Sequence, residues 1–175
     1  MMIVRRRAIA ALLSAGALCG LLTGCASEEQ KAAQVAQQQE QLDGYIAKAE
    51  GWGEEILAQI PKSEVEDAGP AASGTRAANM NYEEWPKYYI WDTIVRLKPT
   101  GARTPTEAAD ELDPWLKDQG WKRHEEREDT PNQESFTRYY SRAQYTLMVE
   151  AYTQAPPRAQ NIFFTIVTPP TSPAK

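Results

Sequence analysis

Alternation of apolar and polar residues in the second half of the chain is the feature that most limits its fold. After Gly120, apolar side chains recur at every second position, most regularly at Tyr145, Leu147, Val149 and Ala151. This period is typical of β-strands with one buried face. It predicts four strands joined by short turns, which makes them antiparallel neighbours. The strands are predicted at 121–128, 136–141, 145–151 and 162–167.

Two amphipathic helices and one more strand precede these four strands. Apolar residues spaced three and four apart predict a helix over 42–60, which Gly51 and Gly53 weaken and Pro61 ends. Residues 88–98 alternate as a strand. The run Thr104-Pro105-Thr106-Glu107 has the residues of a capping box and begins a second helix, which Gly120 ends. Within it, Pro114 predicts a kink, or a second short helix capped by Asp113.

This order of elements indicates an α+β fold. We predict a two-layer sandwich with a mainly antiparallel sheet of about five strands and two helices on one face. The globular domain is predicted over 42–168. Within it, residues 61–81 lack any period and predict a long loop, either disordered or functional. The Pro-rich residues 169–175 have nothing to bury and predict a disordered tail.

The first 25 residues have the layout of an export signal. Arg5, Arg6 and Arg7 precede an uncharged stretch that ends at Leu22 and is shorter than the ~20 apolar residues of a membrane-spanning helix. The run Leu22-Thr23-Gly24-Cys25 resembles the bacterial lipobox. That resemblance implies removal of residues 1–24 as a signal peptide and acylation of Cys25, which holds the protein at the extracytoplasmic face of the cell membrane. The alternative is an ordinary signal peptide with an incidental cysteine.

The resemblance to lipoproteins extends beyond the signal. Residues 25–41 are polar, with Val35 as the one sizeable apolar side chain, and predict a flexible tether that is helical at most in part. Residues 88–170 resemble small uncharacterised cell-envelope lipoproteins of actinobacteria. The similarity lies in a helix containing Trp115, the pair Gly120-Trp121, the meander that follows and the terminal Thr-Pro-Pro. It implies an envelope location and no particular activity.

The sequence lacks the residues that several kinds of site require. Cys19 would leave with the signal and Cys25 would carry lipid, so no disulfide can form in the processed chain. The single histidine, His124, is predicted to be a solvated residue of an edge strand, and no metal site or cofactor is predicted. Residues 1–24 hold three arginines and no acid, so processing lowers the formal charge from −5 to −8. This charge argues against nucleic acid as a partner.

Acidic side chains offer one route to catalysis. Pairs of neighbouring carboxylates occur at several positions, and two carboxylates at a suitable separation can hydrolyse glycosides. An acidic, solvated surface is the simpler interpretation at this net charge. The pairs are Glu83-Glu84, Asp110-Glu111, Glu125-Glu126 and Glu128-Asp129, with Asp113 close to the second of them.

Aromatic residues are concentrated within ten positions. Of these, Tyr89 and Trp91 are predicted to build the core, together with Trp115 and Trp121. Trp85, which precedes Pro86 at the end of the predicted loop, is expected to remain the most exposed. Tyr82 and Trp85 are therefore the predicted binding residues. The full group is Tyr82, Trp85, Tyr88, Tyr89 and Trp91.

The sequence thus favours a membrane-anchored, non-catalytic envelope lipoprotein that binds a protein or another envelope component. One alternative is a carrier or sensor of a small apolar ligand held between the helices and the sheet. A second alternative is a hydrolase that uses paired carboxylates. We expect Cys25 as the lipidation site, Tyr82 and Trp85 as binding residues, no catalytic residue, and a membrane and an envelope molecule as partners.

Overall fold

The computed structural model describes residues 25–79, 84–128, 134–154 and 160–173, with side chains from Glu28 onward. This part of the chain contains two α-helices and seven strands, so the α+β class is confirmed and the sheet is larger than the predicted five strands. The helices are α1 (Cys25–Leu57) and α2 (Pro105–Asp118). The strands are β1 (Val65–Pro70), β2 (Gly74–Ala77), β3 (Lys87–Leu97), β4 (Lys122–Arg123), β5 (Ser135–Arg142), β6 (Tyr145–Tyr152) and β7 (Gln160–Val167).

Some predictions fall outside the described residues. They are the signal segment 1–24, Tyr82, Glu83, Asp129 and part of the turns before β5 and β7. Within the described ranges, no helix combines the length and the apolar character that a membrane span requires. The chain divides into two compact units, of which the first ends at Ala33 and the second begins at Gln34. The first unit is described only as the helical residues 25–33, and all strands lie in the second.

The sheet is antiparallel throughout. Its order is β1-β3-β7-β6-β5-β4, and β2 also pairs with β3. The strands β2 and β1 share one edge of β3, where β2 lies against Lys87–Ile90 and β1 lies against Thr93–Leu97. On its other side, β3 pairs with β7 from Ile90 to Leu97. The long strand β3 therefore joins the N-terminal strands to the β5-β6-β7 meander.

The core contains the four β6 residues that the alternation identified, together with residues of β7. The four inward residues of β6 (Tyr145, Leu147, Val149, Ala151) and three of β7 (Ile162, Phe164, Ile166) are all buried. They form one cluster with residues of α1 and α2, including Ile56 and Leu116. The ring of Trp52 on α1 contacts Trp121 and Tyr145 edge-to-face, with centroid distances of 5.2 and 4.9 Å. Aromatic side chains thus link α1 to the sheet.

Helix α2 begins and ends as predicted but is not divided. The Thr104 hydroxyl accepts from the Glu107 backbone N–H, and the Glu107 carboxylate accepts from Thr104 N–H at 2.8 Å, which completes the capping box. Gly120 ends the turn after the helix with φ +85°. Pro114 lies inside one continuous helix, so the prediction of a second helix capped by Asp113 is wrong. The proline removes one backbone hydrogen bond, whereas buried residues on both sides of it hold the helix to the core.

Helix α1 begins at Cys25, well before the predicted start at Leu42. The segment 25–41, expected as a tether that is helical at most in part, is helical throughout. It contains no Gly or Pro and is rich in Ala, Gln and Glu, which favour helices without an apolar stripe. The folded unit also begins earlier than predicted, because Gln38 is buried with 6% of its surface exposed.

The C-terminal segment was predicted to be disordered, but its described residues are held by hydrogen bonds. Lys87 N–H donates to the Thr171 hydroxyl oxygen at 3.0 Å, and Thr171 N–H donates to the Lys87 carbonyl at 2.8 Å. The Thr171 hydroxyl in turn donates to Gln38 Oε1 at 3.1 Å, and Ser172 N–H donates to Gln41 Oε1 at 2.9 Å. The sequence analysis weighed only apolar burial, and this segment is held by hydrogen bonds from its backbone and hydroxyl groups.

Two further segments differ from prediction. Residues 61–81, predicted as a long loop, contain β1 and β2. Both strands are largely exposed on both faces, so no apolar alternation reveals them, and backbone pairing with β3 holds them. The strand predicted over 121–128 is reduced to β4, and a 3₁₀ helix follows at Glu125–Arg127.

Candidate functional site

One face of the sheet points away from the buried cluster and remains partly exposed. Because alternate residues of a strand point to opposite sides, the register across β3, β7, β6 and β5 places its side chains in four rows. We call this surface the open face. Its rows are Ile90, Val167, Thr146 and Ser141; Asp92, Thr165, Met148 and Tyr139; Ile94, Phe163, Glu150 and Thr137; and Arg96, Asn161, Tyr152 and Ser135.

The open face mixes apolar and polar side chains and carries two carboxylates in its middle rows. None of its side chains is fully buried. Asp92 accepts a hydrogen bond from the Thr165 hydroxyl at 3.1 Å, and Glu150 accepts one from the Tyr152 hydroxyl at 3.1 Å. A contiguous apolar patch on a folded domain commonly marks a surface that meets another molecule. The arrangement therefore suits a partner that offers apolar groups together with positive charge or hydrogen-bond donors.

A hollow of about 360 Å³ lies at one end of the open face. The rings of Tyr152 and Phe163 form two of its walls, edge-to-face, with their centroids 5.9 Å apart. Glu150, Gln154 and Asn161 complete the lining. Asn161 Oδ1 is buried, and among the described residues it has no hydrogen-bond partner. The hollow thus combines aromatic walls, one carboxylate and one unsatisfied acceptor.

The neighbours of the Tyr152 phenol affect its pKa. Burial, followed by the charge and the acceptor oxygen of Glu150, raises the pKa of Tyr152 above its ordinary value. The hydroxyl group therefore stays protonated at neutral pH and donates to the carboxylate. This hydrogen bond fixes Glu150 against the wall of the hollow.

The sequence analysis missed the residues of this hollow. It predicted the last strand at 162–167 but gave Phe163 and Val167 no role. An outward side that carries Phe163, Val167 and Met148 is more apolar than a solvated sheet face requires, and that composition is the signal that indicates a binding surface.

His124 lies at the rim of the open face and differs from its prediction. It precedes the 3₁₀ helix instead of lying within an edge strand, and both its ring nitrogens are paired. His124 Nε2 lies 2.7 Å from Ser141 Oγ, and Nδ1 lies 3.0 Å from Glu126 Oε1. The order serine, histidine, carboxylate is that of an acyl-transfer relay.

Among the described residues, the groups around Ser141 do not complete such a relay. Ser141 lies within β5, paired with Lys122 on one side and Thr146 on the other, so its backbone belongs to the sheet. The Glu126 carboxylate is 72% exposed and is therefore a loosely held orienting group. Acyl transfer depends on fixed donors around the developing oxyanion, which a paired strand does not present. We interpret the hydrogen bonds as a link between the 3₁₀ helix and β5.

Several of the described carboxylates proposed for hydrolysis face lysine or arginine side chains. Glu84 pairs with Lys87 at 3.0 Å, and Glu128 makes two hydrogen bonds to Arg123 at 2.8 and 2.6 Å. Burial alone would raise the pKa of Asp113, but hydrogen bonds from Lys117 and Tyr140 and the charge of Arg123 lower it overall. Asp110 and Glu111 pair with Arg138 and Arg103. Ion pairing, which neighbouring residue types alone do not reveal, accounts for these acids.

The predicted binding residue Trp85 is less exposed than expected. Its side chain is half-buried against the core cluster, and Lys87 Nζ lies 4.4 Å from its ring centroid. Asn79 Nδ2 donates to the Trp85 carbonyl at 2.9 Å. The exposed aromatic side chain of the described chain is Tyr152 instead, at 37%. Tyr82 lies outside the described residues, and Cys25 is described only as the first residue of α1.

In the ranges that the structure describes, no group of three or more His, Cys, Asp and Glu side chains is placed to hold a metal ion. Comparison with models of protein families, with curated proteins and with solved structures finds no match to this chain.

Proposed function

We propose that this protein is an exported lipoprotein, held by a lipid on Cys25 at the extracytoplasmic face of the cell membrane, whose domain is a non-catalytic binding module. The observation that carries the binding role is the open face, with its half-exposed apolar side chains. Phe163 and Tyr152 are large side chains of the kind that concentrate binding energy at interfaces. The proposed location rests on the signal segment, which begins with three arginines, and on the lipobox.

We infer further that the two helices cover the opposite face, in the two-layer arrangement. The edge-to-face contact of Trp52 with Tyr145 and the burial of Leu116 beside the core residues of β6 support this inference. Such a layout leaves one side of the sheet for a partner. One face of the sheet is then covered by the helices, and the open face is the binding side.

The alternative of an apolar-ligand carrier has less support. The space such a ligand would need holds core side chains, and Ile56, Leu147 and Phe164 are each 0% exposed. The hydrolase alternative has less support as well, because the described candidate acids Asp110, Asp113 and Glu128 are engaged by cations.

The anchor is tested by Cys25→Ala, with Cys19→Ala as the matched control. Cys25→Ala should abolish incorporation of labelled palmitate and leave the protein as a precursor or free of the membrane. Cys19→Ala should be labelled and anchored like the wild type, because residue 19 leaves with the signal. A mature, unlipidated wild-type protein that begins at another residue, detected by mass spectrometry, contradicts the anchor.

The binding surface is tested by Phe163→Lys, with Glu125→Lys as the control. Both changes add a lysine at an accessible position, but only the first alters the open face. We expect Phe163→Lys to keep the wild-type melting temperature and to lose the molecules that the lipidated wild type captures from its own membranes. Glu125→Lys should retain them. Unchanged capture by folded Phe163→Lys would reject the open face as the contact.

A further inference from the structure

We propose that the hollow lined by Glu150, Tyr152, Asn161 and Phe163 binds an organic ammonium group. This inference rests on the binding role proposed for the open face and gives it a ligand chemistry. The hollow holds about 360 Å³, which admits an ammonium group on an aliphatic chain. Its walls bring together the three kinds of group that recognise such a cation: a carboxylate, a neutral acceptor and aromatic rings.

The carboxylate of Glu150 differs from the other acids near the sheet. Among the described residues its contact is the Tyr152 hydroxyl at 3.1 Å, a neutral donor, and no ion pair to it is found there. Asp110, Asp113 and Glu128 all face lysine or arginine side chains instead. Glu150 is half-buried, so its charge is screened by water less than that of a surface acid. A cation entering the hollow would supply the missing counter-charge.

The acceptor is Asn161 Oδ1. It is buried without a described partner, and a buried polar atom in that state is costly. Cross-strand pairing places Asn161 beside Tyr152, and Glu150 lies opposite Phe163 on the same two strands. An ammonium group carries three donors, so it can donate to more than one of these acceptors.

The aromatic walls complete the recognition. The rings of Tyr152 and Phe163 stand at 89° to each other with centroids 5.9 Å apart, so they present differently oriented surfaces to the hollow. The face of an aromatic ring attracts a cation, and the rings also cover the methylene groups next to the ammonium. Tyr152 is 37% exposed and therefore leaves the hollow accessible from solvent.

Other ligand classes fit less well. Glu150 repels anions, and a neutral apolar ligand leaves both polar groups unsatisfied. A planar guanidinium prefers both oxygens of a carboxylate, and the Tyr152 hydroxyl already uses one acceptor site on Oε1 of Glu150. The nearest cation on the open face, Arg96, is cross-strand from Asn161 and lies 4.0 Å from Asp67, which offsets its charge. A compact ammonium is the class that the hollow accommodates.

The test is calorimetric titration of the lipidated, processed protein in detergent with cadaverine at low ionic strength. The uncharged diol of the same chain length is the ligand control. Glu150→Gln, which keeps the shape of the side chain, should weaken cadaverine binding by about tenfold or more. Tyr152→Leu should weaken it by about threefold, since it keeps apolar bulk but removes the π-face. Asp92→Asn, a carboxylate of the same face outside the hollow, should bind like the wild type.

A capped peptide whose single charge is one lysine side chain distinguishes the source of the ammonium. Binding of cadaverine alone assigns the hollow to free amines, and binding of the peptide alone assigns it to a lysine of a protein. Either result supports the ammonium site, provided that the diol does not bind.

Three results overturn the inference. They are no saturable binding of either probe to the wild type, equal binding by folded Glu150→Gln, and an equal loss in Asp92→Asn, which would mean general attraction to negative charge. If these occur while Phe163→Lys still abolishes membrane capture, the ammonium site fails and the proposed function stands. Retained capture by Phe163→Lys rejects the open face itself.

Discussion

The ring of Trp91 on β3 lies directly against Gly53 of α1. A Cβ built at that glycine would come within 2.3 Å of Trp91 Cε2 and 2.4 Å of Cζ2, which no side-chain carbon tolerates. The hydrogen of Gly53 therefore allows helix and indole to approach closely. From helix propensity alone, Gly53 is expected only to weaken α1.

We expect Gly53→Ala to destabilise the protein by about 1–3 kcal/mol, because the added methyl group displaces Trp91. Gly51→Ala is the matched control, since no atom lies within 4 Å of its Cβ position. There the better helix propensity of alanine should stabilise the protein by about 0.5–1 kcal/mol. Urea unfolding of both variants measures the difference, and shifts of the same sign would contradict the packing role of Gly53.

The bound tail gives a second prediction. Thr171→Val keeps the shape of the side chain but removes the hydroxyl that accepts from Lys87 N–H and donates to Gln38. Leaving such groups unsatisfied should cost about 1–3 kcal/mol of unfolding free energy. Ser172→Ala should have little effect, because its contact with Gln41 uses the backbone N–H. Equal stability of Thr171→Val and the wild type in urea would show that the tail is not held this way.

Alkaline pH should destabilise the protein through Tyr145. Burial, with a smaller effect of Tyr45, raises the pKa of Tyr145 to about 12. The folded state thus favours the neutral phenol, so its contribution is complete below the unfolded pKa of about 10 and is lost as pH rises towards 12.

The variant Tyr145→Phe keeps the ring contacts with Tyr45 and Trp52 and removes the ionisable group. Its urea midpoint should therefore decline less than that of the wild type above about pH 10. Both proteins are compared with their own midpoints at neutral pH. Parallel declines of the two proteins would rule out Tyr145 as a source of the alkaline sensitivity.

The sequence-based assignment of Trp85 to the binding surface stays a prediction. Trp85 is half-buried, so Trp85→Ala should destabilise the domain by less than the ~3–5 kcal/mol expected for Trp91→Ala. If Trp85 also contacts the partner, the folded fraction of Trp85→Ala should capture less from membranes, whereas that of Trp91→Ala should capture normally. Normal capture by folded Trp85→Ala would limit Trp85 to packing.

Strands with one buried face and one open face were predictable from the sequence. Leu147 and Phe164 lie on strands with a buried and an open side, so alternation identified both strands and, for β6, the core residues. The same rule missed β1 and β2, which are exposed on both sides and held by backbone pairing. It also missed the role of Gln38 and Thr171, because their burial depends on hydrogen bonds between distant parts of the chain.

The candidate site was less predictable for a related reason. Tyr152 and Phe163 meet only because of the register between β6 and β7, which periodicity does not fix. The concentration of aromatic residues around Trp85 instead drew attention to side chains that largely serve packing. Local sequence density therefore identified aromatic residues but not the ones that share a surface.

Two short strands, β1 and β2, cover one edge of β3 in place of a single long strand. This division affects whether copies of the protein can join their sheets. A chain that adds to a sheet needs a long, straight row of free backbone groups. At this edge it would meet β1 and β2, two short strands with a register shift between Val65 and Asp67. β1 also ends in Pro70, which has no N–H to donate. Copies of the protein held close together would thus be unable to pair their sheets along this edge. Recognition of other molecules would then depend on side chains.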